Sequence, residues 1–151
     1  MASIMRESFF VVLLFACFSQ CTQAQFNQYD AYIVNGLPDN SQNFRAHIFS
    51  GDDDLGYHDL KVNEKFRWHF RMSYFGNTKF YAHFWWGNNK ERSFAVFDKH
   101  LAPICGEVGN ATINICWWLV KKDGFYLANK IDPAPGDLKK MNWWLNKTTI
   151  M

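Results

Sequence analysis

The acidic run Asp52-Asp53-Asp54 is the densest group of potential metal ligands in the sequence. Hard cations such as Ca²⁺ bind several carboxylate oxygens, so the run raises the hypothesis of a calcium site. Consecutive side chains of an extended chain point to opposite sides, however, and a calcium loop carries alternating acids and a later glutamate. The alternative is a turn in which aspartate side chains accept hydrogen bonds from nearby backbone N–H groups. We favour the turn and predict no metal site and no cofactor.

The five histidines give no better metal set. His69 and His83 are expected to lie near each other on the outer face of a predicted hairpin, but no cysteine nearby completes a closed zinc site. We interpret this pair as cross-strand surface residues. His47 is interpreted as a structural hydrogen-bonding residue rather than a general base.

The sequence contains no catalytic motif of a familiar kind. There is no Gly-x-Ser-x-Gly elbow, no phosphate-binding loop and no dinucleotide fingerprint. The net charge of +2 is dispersed, so no basic footprint for nucleic acid is present. The absence of these motifs lowers the prior for catalysis, and we expect neither an enzyme nor a nucleic-acid-binding protein.

Three tryptophan pairs could build a binding surface: Trp85-Trp86, Trp117-Trp118 and Trp143-Trp144. In an extended chain one ring of each pair faces the core and the other faces outward. Exposed aromatic rings mark binding surfaces, including platforms for sugars. The alternative, which we favour, is that the outward rings are incidental aromatic cover on a sandwich.

The elements that position these residues are predicted to be strands. Aromatic residues make up 19% of the chain, and they fit pleated, half-buried surfaces. Residues 66–72 alternate large apolar and polar side chains, which is the period of a half-buried strand. Residues 79–86 are predicted to run back as its hairpin partner across a turn at 75–78. Phe80, Ala82, Phe84 and Trp86 are then expected to face the core.

The rest of the chain divides into short apolar runs between turn residues. Further strands are predicted at residues 32–35, 44–49, 93–97, 115–120 and, as the last strand, 125–128, with a polar turn at 87–92. Residues 137–145 remain ambiguous between a short strand and one or two helical turns. This spacing predicts an all-β, single-domain, antiparallel β-sandwich of seven to eight strands.

The N-terminus has the pattern of a secretory signal peptide. Arg6 precedes an apolar run at residues 9–18, too short to span a bilayer, and small residues come after it. We predict a signal peptide at residues 1–24 and a mature domain at 25–151, secreted and without membrane insertion. The alternative is a buried N-terminal helix.

Removal of that segment leaves only Cys105 and Cys116. Two cysteines in an exported chain favour one disulfide, and two free thiols are the alternative. The sequons at Asn110 and Asn146 fit the same compartment and are predicted glycosylation sites.

The order of these motifs resembles the plant self-incompatibility S-protein homologue family. The most specific part is His47 and then, after two residues, Ser50-Gly51 and Asp52-Asp53-Asp54-Leu55-Gly56. The aromatic strands, the Phe75-Gly76-Asn77-Thr78 turn, Cys116-Trp117-Trp118 and Asp123-Gly124-Phe125-Tyr126 are similar to the later part of that family's pattern. The match covers nearly all of the predicted mature chain.

One departure from the family pattern concerns the cysteines. The family has four, and the two others are expected at the positions of Ile48 and Ala82. Their joint absence makes sense if they pair with each other in relatives, which leaves Cys105 to pair with Cys116 here. The chain is then less cross-linked, at a cost of roughly 2–4 kcal/mol unless something compensates.

The resemblance implies a small secreted sandwich that acts as a signalling or recognition ligand for a cell-surface receptor, as founding members do in pollen rejection. The candidate contact loops are residues 50–56, 87–92, 106–113 and 129–136. The alternative is a secreted carbohydrate-binding or defence protein that uses exposed tryptophans.

Overall fold

The computed structural model describes residues 11–12, 27–106 and 113–147. Within these residues a four-residue helix α1 (Ala102–Cys105) precedes the seventh strand, and a 3-10 turn (Pro135–Asp137) precedes the ninth. The strands in chain order are β1 (Gln28–Asn35), β2 (Phe44–Ser50), β3 (Asp54–Asp59), β4 (Lys65–Arg71), β5 (Phe80–Trp86), β6 (Lys90–Phe97), β7 (Ile113–Lys121), β8 (Gly124–Ala128), β9 (Lys139–Asn142) and β10 (Leu145–Asn146).

The strands form two five-stranded sheets that pack face to face. The first sheet has the order β4-β1-β7-β8-β9, and the second has the order β10-β6-β5-β2-β3. Among the described residues every strand pair is antiparallel except β1 with β7, which is parallel. The predicted all-β sandwich is confirmed, and the parallel pair and the extra strands are additions to it.

The core lies between the sheets and is mostly aromatic. In β2 and β5, alternate residues are buried, as a half-buried strand requires. Phe84 packs on Phe125 with ring centroids 4.8 Å apart, which joins the two sheets. Trp118 is buried, and its indole N–H donates to the Val96 backbone carbonyl at 2.9 Å. Its polar atom is thus satisfied inside the core.

The predicted hairpin of residues 66–72 with 79–86 is wrong. β4 pairs with β1 in the first sheet, whereas β5 pairs with β2 and β6 in the second. The connection, residues 72–79, crosses from one sheet to the other and is longer than a typical hairpin loop. The two aromatic faces therefore meet across the core, where Phe70 and Phe80 lie 4.7 Å apart. Phe80, Ala82 and Phe84 are buried as predicted, and Trp86 is half-buried.

Several predicted boundaries need correction. Strand β3 begins at Asp54, inside the motif Asp52-Asp53-Asp54-Leu55-Gly56, and the sequence pattern does not predict this strand. The turn after β5 is shorter than predicted, because β6 begins at Lys90. The ambiguous segment at 137–145 forms β9 and the connection to β10, so residues 125–128 are not the last strand.

The disulfide between Cys105 and Cys116 is confirmed. It ties helix α1 to β7, and both cysteines are buried in the core. The alternative of two free thiols is thereby excluded.

Candidate functional site

The family-like motif builds a turn and its hydrogen bonds. The Ser50 hydroxyl accepts from the backbone N–H of Asp53 at 3.0 Å, and Asp54 Oδ1 accepts from the N–H of Gly56 at 2.8 Å. Gly56 has a positive φ of 85°, which favours glycine there. His47 Nε2 lies 2.8 Å from the same Asp54 oxygen. The motif thus fixes the β2–β3 connection through one serine and one aspartate.

The three aspartates of the motif differ in their surroundings. All three are exposed, but hydrogen bonds from the Gly56 N–H and from His47 lower the pKa of Asp54 below its ordinary value, so it is a carboxylate at neutral pH. Within the described residues, no group of three or more His, Cys, Asp or Glu side chains is arranged to hold a metal ion. Leu55 is half-buried and packs against the core.

The turn lies at one end of the sandwich, which we call the motif end. Ser50 pairs with Phe80, so residues 51–53 and the 72–79 connection leave the sheets side by side. Ile113 lies beside Gln28 at this end, and Asn129 donates to the Gly106 carbonyl. Residues 51–53, Gly106, Ile113 and Asn129 therefore lie at the same end of the sandwich. Residues 107–112 lie outside the described residues.

The most exposed aromatic residues also lie at the motif end. Tyr74 is 81% exposed and Phe75 is 87% exposed, with ring centroids 5.3 Å apart. Sequence reasoning did not select this loop, although two consecutive aromatics beside Gly76-Asn77 were a visible pattern. Large apolar rings in a turn are unusual because a turn buries little.

The outer face of the second sheet carries a second exposed feature, which we call the aromatic strip. Within it His47 stacks on Tyr57 at 4.1 Å and His83 stacks on Trp85 at 3.9 Å. Tyr57 and Trp85 are 6.1 Å apart, which connects the two stacks. The strip consists of His47, Phe49, Tyr57, Tyr81, His83 and Trp85.

An ion pair borders the strip. Arg45 donates to both carboxylate oxygens of Asp59, at 2.7 and 2.8 Å, and Asn43 donates to the same carboxylate at 3.0 Å. These hydrogen bonds, with that from Arg45 the largest cause, lower the pKa of Asp59 to about 2. The predicted loop at 87–92 lies close by, at the opposite end of the sandwich from the motif.

The predicted proximity of His69 and His83 is wrong, because the two residues lie on different sheets. His69 Nδ1 is 2.7 Å from Asp30 on the outer face of the first sheet. His83 Nε2 is 3.4 Å from Glu91 on the second sheet. The wrong hairpin is the direct cause of this error.

The tryptophan pairs behave differently from one another. Trp143 is exposed and Trp144 half-buried, as predicted, whereas Trp117 and Trp118 are both buried. Trp117 is covered because the outer face of the first sheet carries its own small apolar cluster with Tyr32, whose ring lies 5.0 Å away. Both Trp85 and Trp86 are half-buried.

The two predicted glycosylation sites differ in what the structure describes. Asn110 lies outside the described residues. Asn146 is exposed on the edge strand β10, where its Oδ1 accepts from Lys90 Nζ at 2.5 Å.

These features define the class: a small all-β sandwich with one disulfide and exposed aromatics on its loops and on one sheet face. The family described as plant self-incompatibility protein S1 matches residues 30–144. The chain belongs to this family.

Similar proteins agree with this assignment. S-protein homolog 24 of Arabidopsis thaliana is 31% identical over 106 residues, which are 70% of this chain and 64% of that protein. S-protein homolog 3 of the same plant is 34% identical over 102 residues, 68% of this chain and 65% of that protein. The chain thus spans less than two-thirds of the length of these curated relatives.

A solved structure has the same fold. The two structures superimpose with a TM-score of 0.50 and are 17% identical in sequence. The match covers 78% of this chain and 95% of the solved chain. Its description is of self-incompatibility protein homologues, "a widespread family of small, highly stable, secreted proteins from plants". In the part of our chain that the structure describes, no helix has the length and apolar character needed to cross a membrane.

Proposed function

We propose that this protein is a secreted recognition ligand that binds a cell-surface receptor protein through the motif end of the sandwich. The proposal includes cleavage of residues 1–24, and a mature domain at 25–151 that acts by being bound rather than by catalysis. Family membership and the description of the structural neighbour as secreted support it.

The exposure of Tyr74 and Phe75 is the observation that carries the proposal. Energetically dominant interface residues are enriched in aromatics that fill pockets on the partner. Two adjacent rings, more than four-fifths exposed, cost free energy in water unless a partner covers them.

The charges around these rings are of both signs. Asp52 and Asp53 lie in the loop beside the rings, Arg71 and Lys79 flank the rings along the chain, and all four residues are exposed. A complementary receptor surface would present an apolar pocket for the rings and a rim with charges of both signs.

The test is saturation binding of the labelled protein to intact plant cells. Replacing both rings, Tyr74→Ser with Phe75→Ser, should weaken binding at least about thirtyfold, because a hot-spot residue contributes about 2 kcal/mol or more. Protease treatment of the cells should abolish binding of the unmodified protein, since the receptor is a protein.

Trp143→Ser is the matched control, since it removes an exposed aromatic ring away from the motif end. It should leave the cell-surface affinity unchanged. Equal loss in both variants, or undiminished binding after proteolysis, would contradict a protein receptor at the motif end.

A further inference from the structure

The aromatic strip ends in an open groove on the side away from the motif end. The groove has a volume of about 670 Å³ and lies between the start of β2, the exposed ring of Tyr57 on β3 and the β5–β6 turn. Its principal lining residues are Gln42, Asn43, Tyr57, Trp85, Asn88 and Asn89. Neither the family-like motif nor the receptor proposal uses this groove.

Trp85 lines this groove. His83, two residues earlier on the strand, stacks on one face of the Trp85 ring at 3.9 Å with only 10° between the ring planes. The residue two positions later is Gly87, which has no side chain to cover the ring. The turn keeps a glycine here because φ is +60° and a Cβ would lie 2.1 Å from the Gln42 amide oxygen.

Tyr57 extends the aromatic wall. It is 61% exposed, and its ring plane is inclined by only 28° to that of Trp85. Tyr57 and Trp85 thus both contribute aromatic surface to the groove, with Arg45 6.0 Å from the Tyr57 ring centroid, and aromatic surface of this kind packs on the C–H face of a sugar ring.

The rest of the lining is polar and rich in amides. Asn and Gln side chains each donate and accept hydrogen bonds, as a sugar hydroxyl does, and Ser41 adds a hydroxyl. Among the described residues that line the groove there is no Leu, Ile, Val or Met. A proline-rich peptide, which offers few hydrogen-bond donors, would provide no partner for the oxygens of these amides.

The cation that lines the groove is already engaged by another group. Among the described residues that line the groove, Arg45 is the only cation, and it donates to both oxygens of Asp59, which balances its charge. From the aromatic wall, the amides and this charge balance, we infer that the groove is a binding site for a neutral pyranose oligosaccharide. The inference is independent of the receptor proposal, because the two sites lie at opposite ends of the sandwich.

The test is titration of the purified, disulfide-intact protein with cellohexaose and mannohexaose, with hexagalacturonate as the acidic comparison. A ¹H–¹⁵N spectrum should show saturable shifts of the Trp85 indole N–H and of the Asn43 and Asn88 side-chain amides with at least one neutral sugar. Hexagalacturonate should produce no such shifts.

Trp85→Ala should reduce the affinity at least about tenfold, because burying one aromatic face contributes about 1.5 kcal/mol or more. Two control variants should bind the sugar as the unmodified protein does. One is Trp143→Ala, which removes an exposed tryptophan outside the groove lining, and the other is Tyr74→Ser/Phe75→Ser. If Trp85→Ala does not fold, the shift map of the unmodified protein decides the matter.

The inference is overturned if neither neutral sugar shifts these signals, if hexagalacturonate binds as tightly, or if decaproline produces the shifts instead. Equal losses in the Trp85 and Trp143 variants would also overturn it. Failure here with intact protease-sensitive cell binding would leave the receptor proposal standing.

Discussion

At the scale of the residue, a buried carboxylate on the first sheet is held by two charged or polar partners. Asp30 is 5% exposed, and its oxygens lie 2.7 Å from Arg67 Nη2 and 2.7 Å from His69 Nδ1. Burial raises its pKa, but the hydrogen bonds from His69 and Arg67 together outweigh burial, so the pKa lies below its ordinary value. A buried charge of this kind is stable only while its partners remain.

Removing one partner should therefore be costly. Arg67→Met should lower the free energy of unfolding at neutral pH by about 1–3 kcal/mol, because the buried Asp30 loses a charged donor. Arg71→Met, an exposed arginine on the same strand, should change it by no more than about 0.5 kcal/mol. Urea unfolding of both variants measures the difference, and equal effects would contradict a specific role for Asp30.

The interaction of Asp30 with Arg67 also predicts how the free energy of unfolding depends on pH. Because the folded pKa of Asp30 is lowered, its contribution is complete above the unfolded value of 3.8 and is lost as pH falls through the folded pKa. The stability gap between the unmodified protein and Arg67→Met should accordingly narrow in acid. A gap that widens on acidification would show that another group carries the effect.

At the scale of the element, β2 and β5 explain the missing cysteines. Ile48 and Ala82, the two positions that carry cysteine in the family pattern, are directly opposite each other in the register of these strands. Both are fully buried in the core. The lost disulfide would thus have linked neighbouring strands of the second sheet, and an apolar pair now fills its place.

Restoring that bridge should stabilise the sandwich. The oxidised Ile48→Cys/Ala82→Cys variant should exceed the single Ile48→Cys variant in free energy of unfolding by roughly 3–4 kcal/mol, since it closes a loop of more than thirty residues. The urea midpoint and intact mass of both variants measure this. A double variant that stays reduced in air, or gains nothing on oxidation, would contradict the inferred pairing.

At the scale of the whole molecule, the parallel pairing of β1 and β7 gives the sandwich its organisation. β1 lies between β4 and β7, and seven of its eight residues are buried, so both of its faces are covered. The cross-over of residues 72–79 then places Tyr74 and Phe75 at the motif end. The groove with Trp85 and Tyr57 occupies the other end of the second sheet.

Secretion is also a prediction for the whole chain. Expressed in plant cells, the protein should appear in the medium beginning at Gln25, because residues 1–24 have the pattern of a cleaved signal.

Glycosylation is predicted at two asparagines. Asn110→Gln and Asn146→Gln should each remove one glycan from the intact mass. Intracellular protein that keeps its first residues, or a mass that glycosidase does not change, would contradict these predictions.

The sequence by itself determined which residues face inward. Alternation along a strand is local, so the buried positions Phe80, Ala82 and Phe84 could be predicted from spacing alone. The cysteine count likewise predicted the disulfide, and the motif around His47 predicted the family. Each of these depends on neighbours along the chain.

The pairing of strands was decided only by the tertiary structure. Residues 66–72 and 80–86 have the patterns of hairpin partners, yet each pairs with strands distant in sequence, because the whole set of apolar faces must be buried together. The same non-local packing buried Trp117 and separated His69 from His83. The same packing placed Trp85 beside the turn glycine Gly87, where we propose that a sugar binds. It also left Tyr74 and Phe75 exposed to water, where we propose that a receptor binds.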